Sequence, residues 1–475
     1  MTAGLALVQP PSAPSQVEPL ERLELLCDPG SLRTLRTGVA ARTGRTDVAG
    51  DGVVAGMGTL GGRPLYCYSQ DRTVVGGSLG EAHADTIVRL LRMAGRAGAP
   101  VVGFVESAGA RMDEGCAGLA GYGRVFREHV RLSGHVPQVT VITGNSAGGG
   151  SYSPALTDFV VMTEASSMFL TGPGVVAEVM GEEVSKQELG GPRVHSRNGV
   201  CQLVAEDDHH ATLLARELLG YLPRSAGERT SDIPSSEALP VDPASVVPES
   251  ARQVYDVRGV IRCLVDDGRL LESSPRWARN MVTAFARIDG RAVGVVANQP
   301  RHLGGVIDSS ASEKAARFVS TCDSFGVPLV VLVDTPGFLP GTRQEQAGVI
   351  RHGAGLLRAF AAAEVPKLTV VLRKAYGGGF ITMNSKDLGA DLTFAWPHAE
   401  IGVVGPKQAV TFVHRDEIRR AEDPGAERDR LAAVYARDHA TAAVAARGGY
   451  IDEIVEPADT RERLSWALQA LEGKQ

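Results

Sequence analysis

Only six cysteines occur in 475 residues, at positions 27, 67, 116, 201, 263 and 322, and no two of them form Cys-x-x-Cys. That spacing argues against a zinc site or a disulfide framework and suits a reducing, cytoplasmic setting. No metal is expected. No apolar run reaches the ~20 residues that a membrane span needs, so no membrane contact is expected either. There is no surplus of positive charge: the formal net charge is −6, which removes the electrostatic reason to expect nucleic acid. The chain also lacks any Gly-x-x-x-x-Gly-Lys-Ser/Thr loop. Asp334-Thr-Pro-Gly337, which mimics a GTPase Asp-x-x-Gly, therefore has no phosphate-holding partner. Residues 1–20 are rich in proline with no basic stretch, and read as a disordered tail rather than a signal peptide.

The chain does contain one stretch that occurs twice. Val139-Thr-Val-Ile-Thr runs into Gly144-Asn-Ser-Ala-Gly148 and then Gly149 and Gly150, an apolar β-branched strand ending in glycines. Leu368-Thr-Val-Val-Leu, followed by Lys374-Ala-Tyr-Gly-Gly-Gly379, repeats the plan 229 positions later. Glycines there let the backbone turn sharply and let a ligand approach the main chain. The echo extends further. Gly76 answers to Gly304, Pro100 to Pro328 and Gly109 to Gly337 at an offset of 228, and Pro137 to Pro366 at 229. A constant offset marks a tandem duplication.

A charged fraction of 22% beside 43% hydrophobic residues is that of a globular protein, and the length accommodates two domains of roughly 200 residues each. Strands and helices alternate in both copies, which predicts an α/β fold. The first copy has strands over 53–60 and 64–69 flanking a Gly61-Gly62 turn, a helix over 83–95, and strands near 101, 139, 159–163 and 167–170. A short amphipathic lead-in helix followed by the Asp28-Pro-Gly turn is predicted over 21–35, and C-terminal helices over 431–447 and 460–471. Residues 223–254, rich in Pro, Ser and acidic side chains, read as a linker. The expected organisation is a tail (1–20), a first domain (21–222), the linker (223–254) and a second domain (255–475).

Two motifs compete for the functional reading. Gly56-Met-Gly-Thr-Leu-Gly61 fits the dinucleotide fingerprint, but a strand follows it where a helix is required, so it reads as a hairpin. Gly144-Asn-Ser-Ala-Gly148 is a literal Gly-x-Ser-x-Gly, the nucleophile elbow of α/β-hydrolases, with His195, His209 or His210 as candidate bases for Ser146. The second copy has no serine there, only the glycines. The shared chemistry is therefore that of backbone amides, and two such cradles would hold two carbonyl-derived anions. Removing one oxyanion donor typically costs about 3 kcal/mol of transition-state stabilisation.

The first half carries Gly76-Gly-Ser-Leu-Gly-Glu81, Glu106-Ser-Ala-Gly-Ala-Arg-Met-Asp-Glu-Gly115, Ser153-Pro-Ala-Leu-Thr-Asp158 and Glu188-Leu-Gly-Gly191. The second half carries Ala311-Ser-Glu-Lys-Ala-Ala-Arg-Phe318, Asp334-Thr-Pro-Gly-Phe-Leu-Pro-Gly341 and Lys374-Ala-Tyr-Gly-Gly-Gly379. In these motifs, from about residue 20 to the C-terminus, the chain resembles the carboxyltransferase β subunit of biotin-dependent acyl-CoA carboxylases. The resemblance implies a tandem duplication of two crotonase-like (ββα superhelix) domains in a homo-hexamer, a dimer of trimers. It implies that the amides of Gly148 and Gly149 hold the acyl-CoA thioester oxygen, and those of Gly378 and Gly379 the ureido oxygen of carboxybiotin. Ile381 stands where the family shapes its acyl pocket, and an apolar residue there implies tolerance of larger acyl groups. Neither a Met-Lys-Met biotinylation site nor an ATP-grasp signature is present, so biotin is expected on a separate carrier protein charged by a biotin carboxylase, with coenzyme A as part of the substrate. Glu106 and Asn145-Ser146 depart from the family's usual Asp and Pro-Cys, and the loop 194–199 is shortened. The same site run backwards gives a second reading, a decarboxylase subunit acting on malonyl- or methylmalonyl-CoA.

Overall fold

The computed structural model describes residues 17–41, 48–228, 230, 232–250 and 253–473. Eight strands make the first sheet: β1 (Arg33–Leu35), β2 (Val53–Leu60), β3 (Arg63–Gln70), β4 (Val101–Ser107), β5 (Gln138–Ala147), β6 (Phe159–Thr163), β7 (Ser167–Phe169) and β8 (Leu203–Ala205). Their order is β1-β2-β3-β4-β5-β6-β8, with β7 paired to the far end of β5. The second sheet repeats this order with β9 (Leu270–Ser273), β10 (Met281–Ile288), β11 (Arg291–Asn298), β12 (Leu329–Thr335), β13 (Lys367–Tyr376), β14 (Leu392–Ala395), β15 (Glu400–Gly402) and β16 (Glu453–Ile454). Only the first three strands of each sheet run antiparallel; the rest are parallel, as helical crossovers require.

The duplication is visible in detail. β4 slips against β5 between Val105 and Ser107, and β12 against β13 between Val333 and Thr335. Gly61 and Gly62 close the β2–β3 hairpin with φ of 56° and 75°, and Asp289 and Gly290 close β10–β11 with 53° and 78°, the left-handed pair that a two-residue turn needs. The Gly-x-Gly-x-x-Gly motif is this hairpin. A side chain on Gly56 would strike the Arg33 carbonyl at 2.8 Å, and one on Gly58 the Cys27 sulfur at 2.7 Å, so these glycines admit neighbouring chain.

The lead-in helix is α1 (Pro19–Leu26), ended by the expected Asp28-Pro-Gly turn, and the short strand Arg33–Leu35 then joins the sheet as β1. The helix expected over 83–95 is α2 (Glu81–Ala97), and α3 (Cys116–Leu132) follows it. One predicted helix differs. The helix over 431–447 is two, Pro424–His439 and Ala442–Arg447, separated where Thr441 caps the second by accepting from the Val444 N–H. Of the predicted tail over 1–20, residues 1–16 lie outside the described residues, and α1 already begins at Pro19. Residues 232–250 hold one 3-10 turn, Pro243–Val246, and lie along the second sheet, where the Ile233 N–H donates to Gly290 and Arg461 to the Ser236 carbonyl.

The halves share a core rather than merely touching. Phe285 packs on Phe159 and Tyr221 from the first half and Phe318 from the second, with ring centroids 5.0–5.9 Å apart. Beside this cluster lie three ionisable groups. Lys314 donates to the carbonyls of Ser274, Trp277 and Met281, and burial pushes its ammonium down to about 7. Arg317 donates to the carbonyls of Gly199 and Asp158. The Asp158 carboxylate accepts the Gln138 N–H at 2.8 Å, yet burial pushes its pKa up to about 6.

Because the folded chain holds the Asp158 proton more tightly than the unfolded chain, its stabilising contribution is complete below about pH 4 and is lost as pH rises towards 6. Urea denaturation across that window is expected to show a smaller fall in stability with rising pH for Asp158→Asn than for the wild type. An unchanged slope would contradict this.

Candidate active site

Both glycine turns are built the same way. β5 runs through Ala147, and Gly148 then takes φ +56°, ψ −123°, a conformation closed to ordinary side chains. Helix α4 (Gly149–Ala155) starts at once. In the second half Gly377 has φ +54° and opens the helix Gly377–Thr382, and a side chain on it would meet the Val403 carbonyl at 2.8 Å. Gly148 and Gly377 are thus the equivalent corner residues. The residues after them, Gly149 and Gly150 or Gly378 and Gly379, sit in a first helical turn, where N–H groups have no intrahelical acceptor.

The expected site residues divide accordingly. The Gly148 N–H donates to the Phe169 carbonyl at 3.1 Å, tying the corner to β7. Gly149 is half-buried, Gly378 exposed and Gly379 buried. Ile381 lies on the second helix with half its surface exposed.

What lies beneath each turn differs. A side chain on Gly149 would stand 2.6 Å from the Tyr122 ring, contributed by α3 (Cys116–Leu132). One on Gly378 would stand 3.6 Å from Phe338, and one on Gly379 would strike the Gly337 Cα at 2.8 Å. The second cradle is therefore walled by an aromatic ring and bare backbone and offers amide donors. This set fits a ureido carbonyl, which accepts hydrogen bonds, and the apolar thiophane ring fused to it in biotin.

Each sheet also buries an acid at the end of its β4-type strand, and pairs it differently. Asp334 is fully buried against Arg373, at 3.1 Å, and Lys374, at 3.7 Å. Burial pushes its carboxyl up, and these cations oppose the shift. Arg373 also donates to the carbonyls of Ser250 and Gln253, fastening the chain between the halves over this strand end. In the first half the position of Arg373 is taken by Gly144, and the longer Glu106 fills the space: a side chain on Gly144 would lie 2.2 Å from its carboxylate. The cations then come from elsewhere, Arg22 of α1 at 3.7 Å and Arg72 at 3.9 Å. A buried carboxylate left without its partner costs about 3–5 kcal/mol, so each half needs its own arrangement.

Ser146 is not at an elbow. It lies within β5, two residues before the turn, fully buried, with its hydroxyl bonded to no partner. His195 instead bonds the Met168 carbonyl, at 2.6 Å, and His210 the Glu206 N–H, at 3.3 Å; His209 lies beside His210 on the helix Asp208–Gly220. The Gly-x-Ser-x-Gly match is a consequence of the glycine corner.

Comparison with known proteins agrees with this geometry. The carboxyl transferase domain model matches residues 16–475. The chain is 48% identical to the methylmalonyl-CoA carboxyltransferase 12S subunit of Propionibacterium freudenreichii, over 94% of this chain and 87% of that one. It is 45% identical to the propionyl-CoA carboxylase carboxyltransferase subunit of Haloferax mediterranei, over 96% and 90%, and 41% identical to the methylmalonyl-CoA decarboxylase subunit alpha of Propionigenium modestum, over 99% and 93%. The crystal structure of a transcarboxylase 12S hexamer with methylmalonyl-CoA and methylmalonic acid bound superposes with a TM-score of 0.93 at 47% identity, covering 97% of this chain and 90% of that one. Among the described residues no helix is long and apolar enough to cross a membrane. With a domain match spanning nearly the whole chain and relatives of this identity on a tandem crotonase-like fold, the chain belongs to the carboxyl transferase family, as the carboxyltransferase component of a biotin-dependent acyl-CoA enzyme.

Proposed function

We propose that this chain moves a carboxyl group from carboxylated biotin, borne on a separate carrier protein, to the α-carbon of a short-chain acyl-CoA. The observation that carries the reading is the repeated left-handed glycine corner, with φ of +56° and +54°, each opening a helix whose first amides lack intrahelical acceptors. In the first cradle Gly149 offers its N–H to the thioester oxygen as that oxygen takes on enolate charge, and Gly148 supplies the corner that exposes it. In the second, the N–H groups of Gly378 and Gly379 hold the ureido oxygen of biotin, which when carboxylated supplies the carboxyl group. Ile381, on that same helix, borders the acyl group.

The solved 12S relative is a hexamer, and we assign this chain the same assembly, with first cradle and second cradle contributed by different subunits. The surface beside each cradle supports it. Leu170, Val175, Val179 and Met180 come after the first, on and before α5 (Pro173–Met180), and are 49–73% exposed. Val403, Phe412 and Val413 come after the second and are 70–79% exposed. Apolar groups exposed together in this way mark an interaction surface.

The purified chain with ATP and labelled bicarbonate is expected to fix no label, and addition of a biotin carrier already carboxylated with label is expected to produce labelled carboxyacyl-CoA. Ser146→Ala is expected to transfer at the wild-type rate, whereas a serine hydrolase would be silenced. Across acetyl-, propionyl- and butyryl-CoA the wild type is expected to accept all three. Ile381→Asp should lower the butyryl-to-acetyl rate ratio by about tenfold, the discrimination that a polar group against a methylene-sized apolar contact provides. Strict use of acetyl-CoA by the wild type would contradict the role given to Ile381.

A further inference from the structure

Beneath the first cradle lies a hydroxyl network that the second does not have. Ser107, the last residue of β4, is fully buried, and its Oγ accepts the Gly109 N–H at 3.2 Å. The same Oγ meets the hydroxyl of Tyr122, itself 5% exposed, at 3.1 Å. The Tyr122 ring carries Gly149 on its face, and its hydroxyl would lie 3.4 Å from a side chain on Gly150. Tyr122 therefore touches both the last residue of β4 and the first two residues of α4. In the second half Thr335 takes the place of Ser107 and accepts the Gly337 N–H, also at 3.2 Å, but the ring under Gly378 is Phe338, with no hydroxyl to return the bond. Burial pushes the Tyr122 phenol up to about 12, so the hydroxyl keeps its proton throughout the neutral range.

We propose that Tyr122 is a positioning residue for the acyl-CoA cradle: its ring sets the height of the Gly149 amide, and its hydroxyl, through Ser107, locks that amide's helix to the end of β4. The proposal rests on the reading of Gly149 as the thioester-oxygen donor. An enolate oxygen gathers charge only as the reaction proceeds, so a displaced donor costs more in the transition state than in substrate binding. The second cradle, walled by Phe338, has no such lock. Placement of the thioester-oxygen donor is therefore set separately from placement of the biotin.

The experiment measures steady-state carboxyl transfer, with the whole assembly, for Tyr122→Phe, Ser107→Ala, the double variant and Gly149→Ala, with a thermal melt of each. Tyr122→Phe keeps the ring and removes only the hydroxyl. It is expected to lower kcat about five- to tenfold, the loss of one buried hydrogen bond, with KM for acyl-CoA and for the carrier changed less than about twofold. Ser107→Ala, which also leaves the Gly109 N–H without its acceptor, is expected to lose at least as much, the double variant to be no worse than Ser107→Ala alone, and the melting temperature of Tyr122→Phe to stay within a few degrees of the wild type. Gly149→Ala, which drives a methyl into the ring, is expected to abolish transfer. Wild-type kcat in Tyr122→Phe, a rise in KM in place of the kcat loss, losses that multiply in the double variant, or a Tyr122→Phe melting temperature falling with the activity would each overturn the positioning role while leaving the cradle reading intact. An active Gly149→Ala would overturn both.

Discussion

The structure depends on one backbone event, the corner at which a central parallel strand stops and a helix begins without a connecting loop. A residue with a side chain resists φ near +55°, so Gly148 and Gly377 are fixed by conformation before any chemistry is considered. The corner must also be held, and in the first half the Phe169 carbonyl, on the strand that extends the sheet past its neighbours, takes the Gly148 N–H. Each corner thereby fixes main-chain donors to the end of a buried strand. Such donors need little reorganisation as charge develops on a bound oxygen, which is what the proposed transfer through an enolate demands.

Around this repeated corner the halves have diverged, and the divergence is physical. Both bury an acid at the adjoining strand end, but one neutralises Asp334 with Arg373 from the next strand, and the other places Gly144 there and brings Arg22 from the N-terminal helix. Beneath the turn the first half packs Tyr122 and Ser107, the second Phe338 and Thr335. On the proposed assignment, a cradle for a thioester and a cradle for a ureido group need the same donors but different walls, and these substitutions leave the donors untouched. The shared core around Phe285 joins the two units, so their relation within one chain is fixed by packing.

Much of this was legible in the sequence. A constant offset between glycine and proline positions disclosed the duplication, and β-branched runs ending in glycine disclosed the strands and corners, because both signals are local. Long-range features were not. Nothing near Glu106 announces that Arg22, 84 positions earlier, lies against it. Tyr122 reads as one more apolar residue on a helix until the ring is seen under Gly149. Helical periodicity also hid the break between His439 and Ala442, where the Thr441 side chain caps a new helix. Ser146 posed the opposite problem: its local motif was complete, the missing serine in the second copy argued against it, and burial within β5 agrees with that argument.

The central claim is that the two corners serve one reaction from opposite sides of a subunit boundary. Complementation tests it most directly. Chains carrying Gly149→Ala and chains carrying Gly379→Ala are assembled separately and then together, and labelled carboxyl transfer is measured. Each pure assembly should be inactive, and the mixed assembly should regain about a quarter of the wild-type activity, since half of random pairs are mixed and one site in each mixed pair is intact. A mixed assembly as inactive as its parents would contradict a site shared between subunits.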